Sequence, residues 1–197
     1  MNHSITLATE ADAKEILDIY APYITNTVIT FEYEVPTLEE FKHRISSTTT
    51  KYPYLVYRVG QKIVAYAYAS SFKTRAAFAW DVETSIYVHP DYHHTGIAKR
   101  LYQALIELLK LQGYYHIYVY ISYPNEPSTK FHEKLGFKSC AMYKKTGYKM
   151  GAWRDLLCMD LCLCPLEDLD VIAPPKNCLT IADLDKETIE KIFAINS

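Results

Sequence analysis

Apolar positions recur along the chain at two spacings, which divide it into helices and strands. Apolar residues three and four positions apart predict helices after Thr9, after Thr37, at 101–111 and at 180–195. Shorter β-branched and aromatic runs predict strands at residues 5–7, 54–59, 63–70, 78–88, 116–121, 137–143 and 153–164. A short helix capped by Ser128 lies before the last two strands. This order predicts an α/β (α+β) fold with a mixed central sheet and helices on both faces.

Some element boundaries depend on single residues. Thr9 with Asp12 and Thr37 with Glu40 have the spacing of a capping box, so a helix is expected to begin at each. Pro22 should end or bend the first helix. The second is expected to stop near residue 45, before the polar loop 46–51. Residues 27–33 are β-branched and aromatic, as in a strand that the proline at 36 stops.

The composition changes after residue 164, which suggests how the chain is divided. Residues 1–164 are long enough for one well-cored domain. Residues 165–179 are acidic and contain prolines, which is typical of a linker. Residues 180–197 then predict one amphipathic helix, which either docks on its own domain or exposes an apolar face for a homodimer.

The stretch 85–101, SIYVHPDYHHTGIAKRL, combines a strand, a glycine-bearing loop and the start of a helix. Such a junction gathers unpaired backbone N–H groups at a helix N-terminus, where they and the helix dipole suit a phosphate. One glycine before a helix is a weak signal by itself. The neighbouring segments must decide whether an anion binds here.

Charge and composition exclude several classes of function. A formal net charge of −2 and the scarcity of lysine and arginine runs argue against nucleic acid as a partner. The sequence contains no apolar run of membrane-spanning length and no signal-peptide pattern, so we expect a cytoplasmic protein away from membranes. Its five cysteines are then expected to be reduced.

Two clusters of potential metal ligands are better explained without a metal. His89, His93 and His94 lie close together in sequence, but only Asp91 accompanies them as a further ligand. Cys158, Cys162 and Cys164 have the even spacing of one strand face, which favours buried thiols over a zinc or redox site. We expect no metal site.

Several spaced motifs resemble the GNAT superfamily of acetyl-CoA-dependent N-acetyltransferases. The loop reads His93-x-x-Gly96-x-Ala98 where the family has Gln/Arg-x-x-Gly-x-Gly/Ala, and a later Asn block ends in Leu-Gly-Phe at residues 135–137. Within the superfamily, the chain is most similar to the phosphinothricin and methionine sulfoximine N-acetyltransferases. The motifs shared with that branch are Phe31-Glu32, Tyr52-Pro53, the 82–88 strand, Asn-x-x-Ser at 125–128, His-Glu at 132–133 and Gly-x-Lys-x-Gly-x-Trp-x-Asp at 147–155.

The resemblance covers roughly residues 3–163 and implies a GNAT-type, mostly antiparallel sheet with a C-terminal helical extension. It also implies acetyl-CoA as co-substrate. The residues implied to bind acetyl-CoA are Ile86, Tyr87, Val88, His93, His94, Thr95, Gly96, Ile97, Ala98, Lys99, Asn125 and Ser128. The amides of 94–99 would hold the pyrophosphate, and a gap between the 86–88 and 116–121 strands would leave backbone groups for the pantetheine arm. One of those N–H groups could polarise the thioester carbonyl.

Glu83 is the expected general base, because an ammonium must lose a proton before it can attack a thioester. It lies on the strand just before the cofactor segment, among apolar and aromatic residues (Trp80, Ile86 and Tyr87) that could raise its pKa. The alternative is a surface glutamate or an ion-pair partner of Arg75. A carboxylate in a strand otherwise poor in charge favours the catalytic interpretation.

His132 is the second candidate catalytic residue. GNAT enzymes often have a Tyr at this position, from which a proton can pass to the leaving thiolate, and the closer branch has His. A histidine can donate a proton near neutral pH. A structural histidine that bonds the sheet or the cofactor is an equally good interpretation.

For the acceptor, the resemblance points to the loop before the Glu83 strand. Lys73 and Arg75 suit a carboxylate- or phosphinate-bearing amino acid, and Phe31, Phe78 and Trp153 could wall the pocket. The alternatives are a solvated basic loop and ordinary core aromatics. The expected partner is thus a small-molecule amine.

Two departures leave alternatives open. His93 and His94 replace residues that bring fixed charge or flexibility to the phosphate loop, so cofactor affinity is expected to be weaker or more pH-dependent. A GNAT-fold module that has lost catalysis and binds acetyl-CoA or a partner protein therefore competes with the enzyme. A protein N-terminus or lysine is a rival acceptor, although the cationic loop disfavours a lysine.

Overall fold

The computed structural model describes residues 2–164 and 176–197, so most of the predicted linker lies outside the described residues. Their seven strands form a single sheet in the order β1-β2-β3-β4-β5-β7-β6. The strands are β1 (His3–Leu7), β2 (Tyr54–Val59), β3 (Lys62–Ser71), β4 (Asp81–Val88), β5 (His116–Tyr123), β6 (Lys138–Lys149) and β7 (Ala152–Cys162). Only β4 and β5 pair in parallel, and the other neighbours are antiparallel. The predicted mixed, mostly antiparallel sheet is confirmed.

Five α-helices in the described ranges pack on this sheet. They are α1 (Ala13–Asn26), α2 (Leu38–Thr49), α3 (Ile97–Gln112), α4 (Glu126–Lys134) and α5 (Lys186–Asn196). The capping box that Thr37 and Glu40 predict is present, with Thr37 N–H donating to Glu40 Oε2 at 2.7 Å. Gly113 takes a left-handed φ of 88° and ends α3, as expected of a C-terminal glycine.

Each face of the sheet has its own core. Helices α1 and α2 cover β2, β3 and β4 on one face, where Ile16, Phe41 and Tyr66 are buried. Helices α3 and α5 pack on the other face, where Leu101, Leu105 and Ile117 are buried. Helices on both faces are therefore confirmed. None of the described helices has the length and apolar character needed to cross a membrane.

Two helices are longer than the sequence predicts. Helix α1 continues past Pro22 to Asn26, because Ile19 and Ile24 on either side of the proline are buried in the same core. Helix α2 continues to Thr49, so the predicted loop at 46–51 is wrong over its first residues. The hydroxyls of Ser46, Ser47 and Thr49 bond to carbonyls three or four residues earlier, which accommodates these polar residues in the helix.

The strand-like stretch 27–33 forms no strand, which corrects the expectation for this segment. Local hydrogen bonds between side chains and backbone replace sheet pairing. Thr27 Oγ1 donates to Tyr23 O at 2.6 Å and accepts from Ile29 N at 3.1 Å. These bonds give the backbone an alternative to a ladder, which is why β propensity is misleading here.

Four further boundaries differ from expectation. Strand β4 begins at Asp81, because residues Ala76–Phe78 form a 3₁₀ turn. Helix α4 is capped by Asn125 and not by Ser128, whose N–H donates to Asn125 Oδ1 at 3.3 Å. Strand β6 extends to Lys149 and so includes Gly147, expected in a loop, while β7 stops at Cys162.

The C-terminal segment docks on its own domain. It is a 3₁₀ turn, Ile181–Asp183, followed by α5, and not the single helix predicted at 180–195. Two successive caps explain the break, since Thr180 N–H bonds Asp183 Oδ2 at 2.8 Å and Thr188 N–H bonds Asp185 Oδ2 at 2.9 Å. Its apolar side chains join the core against α3: Ile181, Leu184, Ile189 and Ile192. That apolar face is consequently not available as a dimer contact.

Candidate active site

A gap opens in the sheet immediately after Glu83. The parallel ladder between β4 and β5 covers only residues 81–83 of β4, and its last pair is Glu83 with Tyr118. Beyond that pair, β4 keeps its pairing with β3 as far as Val88, whereas β5 follows β7. The expected splayed edge between these two strands is therefore present, and Glu83 lies at its apex.

The register determines which backbone groups face the gap. His89 N–H donates to Val64 O at 2.8 Å, directly opposite it, so this pair and the alternate pair Tyr87–Tyr66 are the hydrogen-bonded pairs of the β3–β4 ladder. The N–H and C=O groups of Ile86 and Val88 must then point away from β3, into the gap. Among the three residues expected to align the cofactor, Ile86 and Val88 present backbone groups and Tyr87 does not.

The carbonyl of Val88 already has two donors from this chain. Tyr23 Oη donates to it at 2.6 Å, and His93 Nε2 lies 3.2 Å from it and 3.1 Å from Tyr23 Oη. Because the Tyr23 proton goes to Val88, the His93 N–H must be the donor to both oxygens. His93 therefore ties the loop to the end of β4, a role that the motif comparison did not predict.

The loop after β4 presents a row of unsatisfied backbone donors. The N–H groups of residues 94–99 have no hydrogen-bond acceptor in the described part of the chain. His94 and Gly96 take left-handed φ angles of 62° and 83°, which turn the loop into the N-terminus of α3. Thr95 Oγ1 donates to Tyr92 O at 2.7 Å and fixes the turn. This arrangement suits a phosphate.

Asn125 and Ser128 lie at the start of α4, on the element that follows β5. Asn125 Oδ1 accepts the Ser128 N–H, so the Asn125 amide NH₂ is left for a ligand. The Asn125 carbonyl accepts from both the N–H and the hydroxyl of Thr129 at 3.0 Å. The cap thus orients Asn125 as the notional cofactor contact requires.

His132 is buried in an aromatic environment. Its ring lies 5.0–5.7 Å, centroid to centroid, from those of Phe131, Phe137 and Tyr102, edge to face. Its Nδ1–H donates to Ser128 O at 2.9 Å. Burial lowers the pKa of His132 to about 4, so the imidazole is neutral near pH 7 and has no extra proton to give.

Glu83 has the surroundings expected of a base. Its side chain points to the same face as Tyr68 and Tyr120, and its charge raises the pKa of both phenols. Burial raises the pKa of Glu83 itself. No ion pair joins Glu83 to Arg75 or to any other described residue. The expected aromatic environment is present, but tyrosines supply it and not Trp80 and Ile86, whose alternation places them on the opposite face.

The loop between β3 and β4 brings three of the expected acceptor residues together. Lys73, Arg75 and Phe78, with Thr74, line a cavity of about 400 Å³. Lys73 Nζ lies 4.7 Å from the ring centroid of Phe72 and 4.8 Å from that of Phe78. Arg75 is exposed. This loop can therefore present two cations to an anionic group.

Phe72 and Tyr118 connect this loop to the strand beside Glu83, and the sequence alone did not identify either. Their rings stack with centroids 4.1 Å apart. Tyr118 is the β5 partner of Glu83, and burial raises its pKa to about 12. The signal that could have found them is the alternation along β5, which puts Tyr118 on the face of Glu83 once the parallel register is known.

The other two expected acceptor residues, Phe31 and Trp153, lie elsewhere and do not line the cavity. The Phe31 ring packs on Gly147, where an added Cβ would come within 2.5 Å of it. Lys149 Nζ is buried and donates to Thr30 O at 2.7 Å. These contacts hold the segment before α2 against the β6–β7 hairpin. Trp153 is 61% exposed.

Comparison with known proteins agrees with this geometry. Residues 5–158 match the family model described as the acetyltransferase (GNAT) domain. The phosphinothricin N-acetyltransferase of Streptomyces viridochromogenes is 31% identical over 169 residues, which cover 86% of this chain and 89% of that protein. The L-methionine sulfoximine/L-methionine sulfone acetyltransferase of Pseudomonas aeruginosa is 32% identical and covers 84% of this chain and 97% of its own.

A solved structure shares the whole architecture. It is the GNAT superfamily phosphinothricin acetyltransferase of Sinorhizobium meliloti in complex with acetyl-CoA. The TM-score is 0.83 at 30% identity, and the match covers 93% of this chain and 98% of that one. With the split sheet and the donor-rich loop, these matches show that this chain belongs to the GNAT family of N-acetyltransferases.

Proposed function

We propose that this protein transfers the acetyl group of acetyl-CoA to the primary amine of a small, amino-acid-like acceptor, with Glu83 as the general base. The observation that carries the proposal is the position of Glu83 at the apex of the gap between β4 and β5. A thioester held along the gap would end at that carboxylate. The similarity to phosphinothricin and methionine sulfoximine acetyltransferases supports this class of acceptor.

The residues around the gap fit acetyl-CoA. When bound, acetyl-CoA supplies an activated acetyl group. The six N–H groups of residues 94–99 would hold its pyrophosphate, and the backbone of Ile86, the N–H of Val88 and the Asn125 amide would align its pantetheine arm. Because His93 is engaged by Val88 and Tyr23, it would shape the loop and leave phosphate binding to the amides.

Glu83 would remove the proton from the acceptor ammonium, directly or through one water. Burial favours its neutral form, which raises its pKa and makes it a better proton acceptor than an exposed glutamate. A backbone N–H that faces the gap, from Ile86 or Val88, would stabilise the negative charge that develops on the carbonyl oxygen.

His132 would have a structural role. Its low pKa keeps it neutral at working pH, and its Nδ1–H is used by Ser128 O. A thiol that ionises near pH 8.5 needs little help to leave, so catalysis does not require a dedicated acid at this position. His132 would instead support α4 and, through it, Asn125.

The acceptor would lie between Glu83 and the loop that carries Lys73 and Arg75. Their charges suit the carboxylate of an amino acid, and the guanidinium of Arg75 can form two parallel hydrogen bonds with it. The stacked rings of Phe72 and Tyr118 would contact the carbon chain. A zwitterionic acceptor therefore matches the charges on both sides.

The test is thiol release from acetyl-CoA with a panel of amines: methionine sulfoximine, phosphinothricin, ordinary amino acids, polyamines and a peptide. We expect turnover on the amino-acid analogues and a decrease in kcat of about 10²–10⁴ in Glu83→Gln. Glu190→Gln, an exposed glutamate on α5, is the matched control and should keep full activity. Turnover that survives in Glu83→Gln would contradict the assignment of the base.

A further inference from the structure

The C-terminal segment reaches the loop that carries Lys73 and Arg75. The indole Nε1–H of Trp80, the residue just before β4, donates to Lys176 O at 2.8 Å. Two residues later, Cys178 Sγ lies 3.3 Å from Gly113 O and 3.8 Å from Ala79 O. The segment from Lys176 to Cys178 thus contacts the point where the acceptor loop enters β4.

The same segment is fixed to the rest of the domain on its other side. Leu179 N–H donates to Gln112 O at 2.8 Å, and the buried amide of Gln112 donates to Leu179 O and Lys51 O, each at 2.9 Å. Ile181 N–H also bonds Lys51 O at 3.1 Å. Because these bonds reach the end of α3 and the start of β2, the segment is a rigid support for Trp80.

Trp80 is itself a junction between this support and the site. Its carbonyl accepts from Tyr115 N–H at 2.9 Å, which fixes its backbone beside the start of β5. Three residues later comes Glu83, and two residues earlier Phe78 lines the cavity. The other end of the loop is held by the stack of Phe72 on Tyr118. Between these two anchors, residues 73–77 are exposed.

We propose that Trp80 is a positioning residue for the acceptor loop, and that the C-terminal segment acts through it to set acceptor affinity. This inference rests on the proposed function. Lys176 and Cys178 lie outside residues 5–158, which match the family model, so this support is additional to the matched domain. The segment would confine the positions of Lys73 and Arg75 without contacting the acceptor itself.

Trp80→Phe is the informative variant, because it keeps an aromatic ring and removes the N–H donor. We expect the KM for the best amine to rise roughly threefold to tenfold, as for the loss of one hydrogen bond. The kcat and the KM for acetyl-CoA should stay unchanged, since the phosphate loop and Glu83 are untouched. Limited trypsin digestion should cut faster after Lys73 and Arg75, with other cleavage sites unaffected.

Ser197→Ala is the matched control. It removes a hydrogen bond between the C-terminus and the opposite edge of the sheet, where Ile5 N–H donates to Ser197 Oγ at 3.0 Å. It should change neither acceptor KM nor the cleavage pattern. An unchanged acceptor KM and unchanged cleavage in Trp80→Phe would overturn the proposal, and so would an equal rise in the KM for acetyl-CoA or an equal effect of Ser197→Ala.

The digestion separates this inference from the proposed function, because it needs no turnover. Faster cleavage at Lys73 and Arg75 in Trp80→Phe, with no acetylation of any amine by the wild type, would support the anchoring of the loop and refute the proposed activity. Turnover by the wild type with identical kinetics and digestion in Trp80→Phe would support the activity and refute the anchoring.

Discussion

At the scale of single residues, the two candidate catalytic side chains have opposite environments for their chemistry. Glu83 is an unpaired, partly buried carboxylate, and burial raises its pKa. His132 is a buried imidazole whose pKa burial lowers to about 4. A raised carboxyl pKa suits a base, whereas a lowered imidazole pKa removes the proton that an acid would need. The structure therefore separates two roles that the motifs alone left undecided.

The cost of keeping Glu83 in this environment gives a first prediction. A carboxyl whose pKa is raised by folding stabilises the folded state at low pH, and this stability is lost as pH rises through the folded pKa. Glu83→Gln should therefore raise the Tm at pH 7, and its advantage should disappear in acid, where Glu83 is protonated. Calorimetry at several pH values checks this. An equal or lower Tm at pH 7 would mean that Glu83 has a stabilising partner.

His132 gives a second prediction, with the opposite sign. Between its unfolded pKa near 6.5 and its folded value of about 4, the unfolded chain binds a proton that the folded chain does not, so acid destabilises the fold. The loss is up to about 3 kcal/mol. Urea unfolding at pH 7 and pH 4.5 should show a smaller loss in His132→Leu than in the wild type. That variant should also keep most of the kcat, and a decrease of 10²-fold or more would restore the acid role.

At the scale of elements, the segment before α2 and the β6–β7 hairpin depend on each other. Gly147 leaves room for the Phe31 ring, and buried Lys149 Nζ bonds Thr30 O. The spaced motif Gly-x-Lys-x-Gly-x-Trp-x-Asp thus describes packing at its first two positions. Asp155, its last residue, accepts from Lys144 Nζ at 2.9 Å and Lys145 N–H at 2.8 Å. Trp153 is exposed, and no contact of it with the cavity supports its expected role.

Gly147→Ala tests this packing. The added methyl group would meet the Phe31 ring, so we expect the free energy of unfolding to fall by about 1–3 kcal/mol. Because Gly147 has no left-handed φ, the effect is steric. Phe31→Ala removes the clash, and the double variant should lose less stability than the sum of the two single variants. Additive losses in urea unfolding would show that the two residues do not interact.

At the scale of the whole molecule, sequence pattern predicts the elements better than their relations. The seven strands and the phosphate-binding loop follow from periodicity and turn residues, because these are local. The gap does not, since it depends on β4 and β5 diverging after one short parallel ladder. Likewise, the partners of Trp80 lie 96 residues later in the chain, and the role of His93 depends on Tyr23, 70 residues earlier. Only the resemblance to a family made the gap expected.

The most direct test of the central claim is the pH dependence of kcat/KM for methionine sulfoximine, measured for the wild type and for Glu83→Gln. The wild type should lose activity in acid with an apparent pKa above the ordinary glutamate value, because the base must be deprotonated and burial raises its pKa. In Glu83→Gln the rate should fall by about 10²–10⁴ and this acid limb should vanish. An unchanged rate and an unchanged acid limb in the variant would contradict the account.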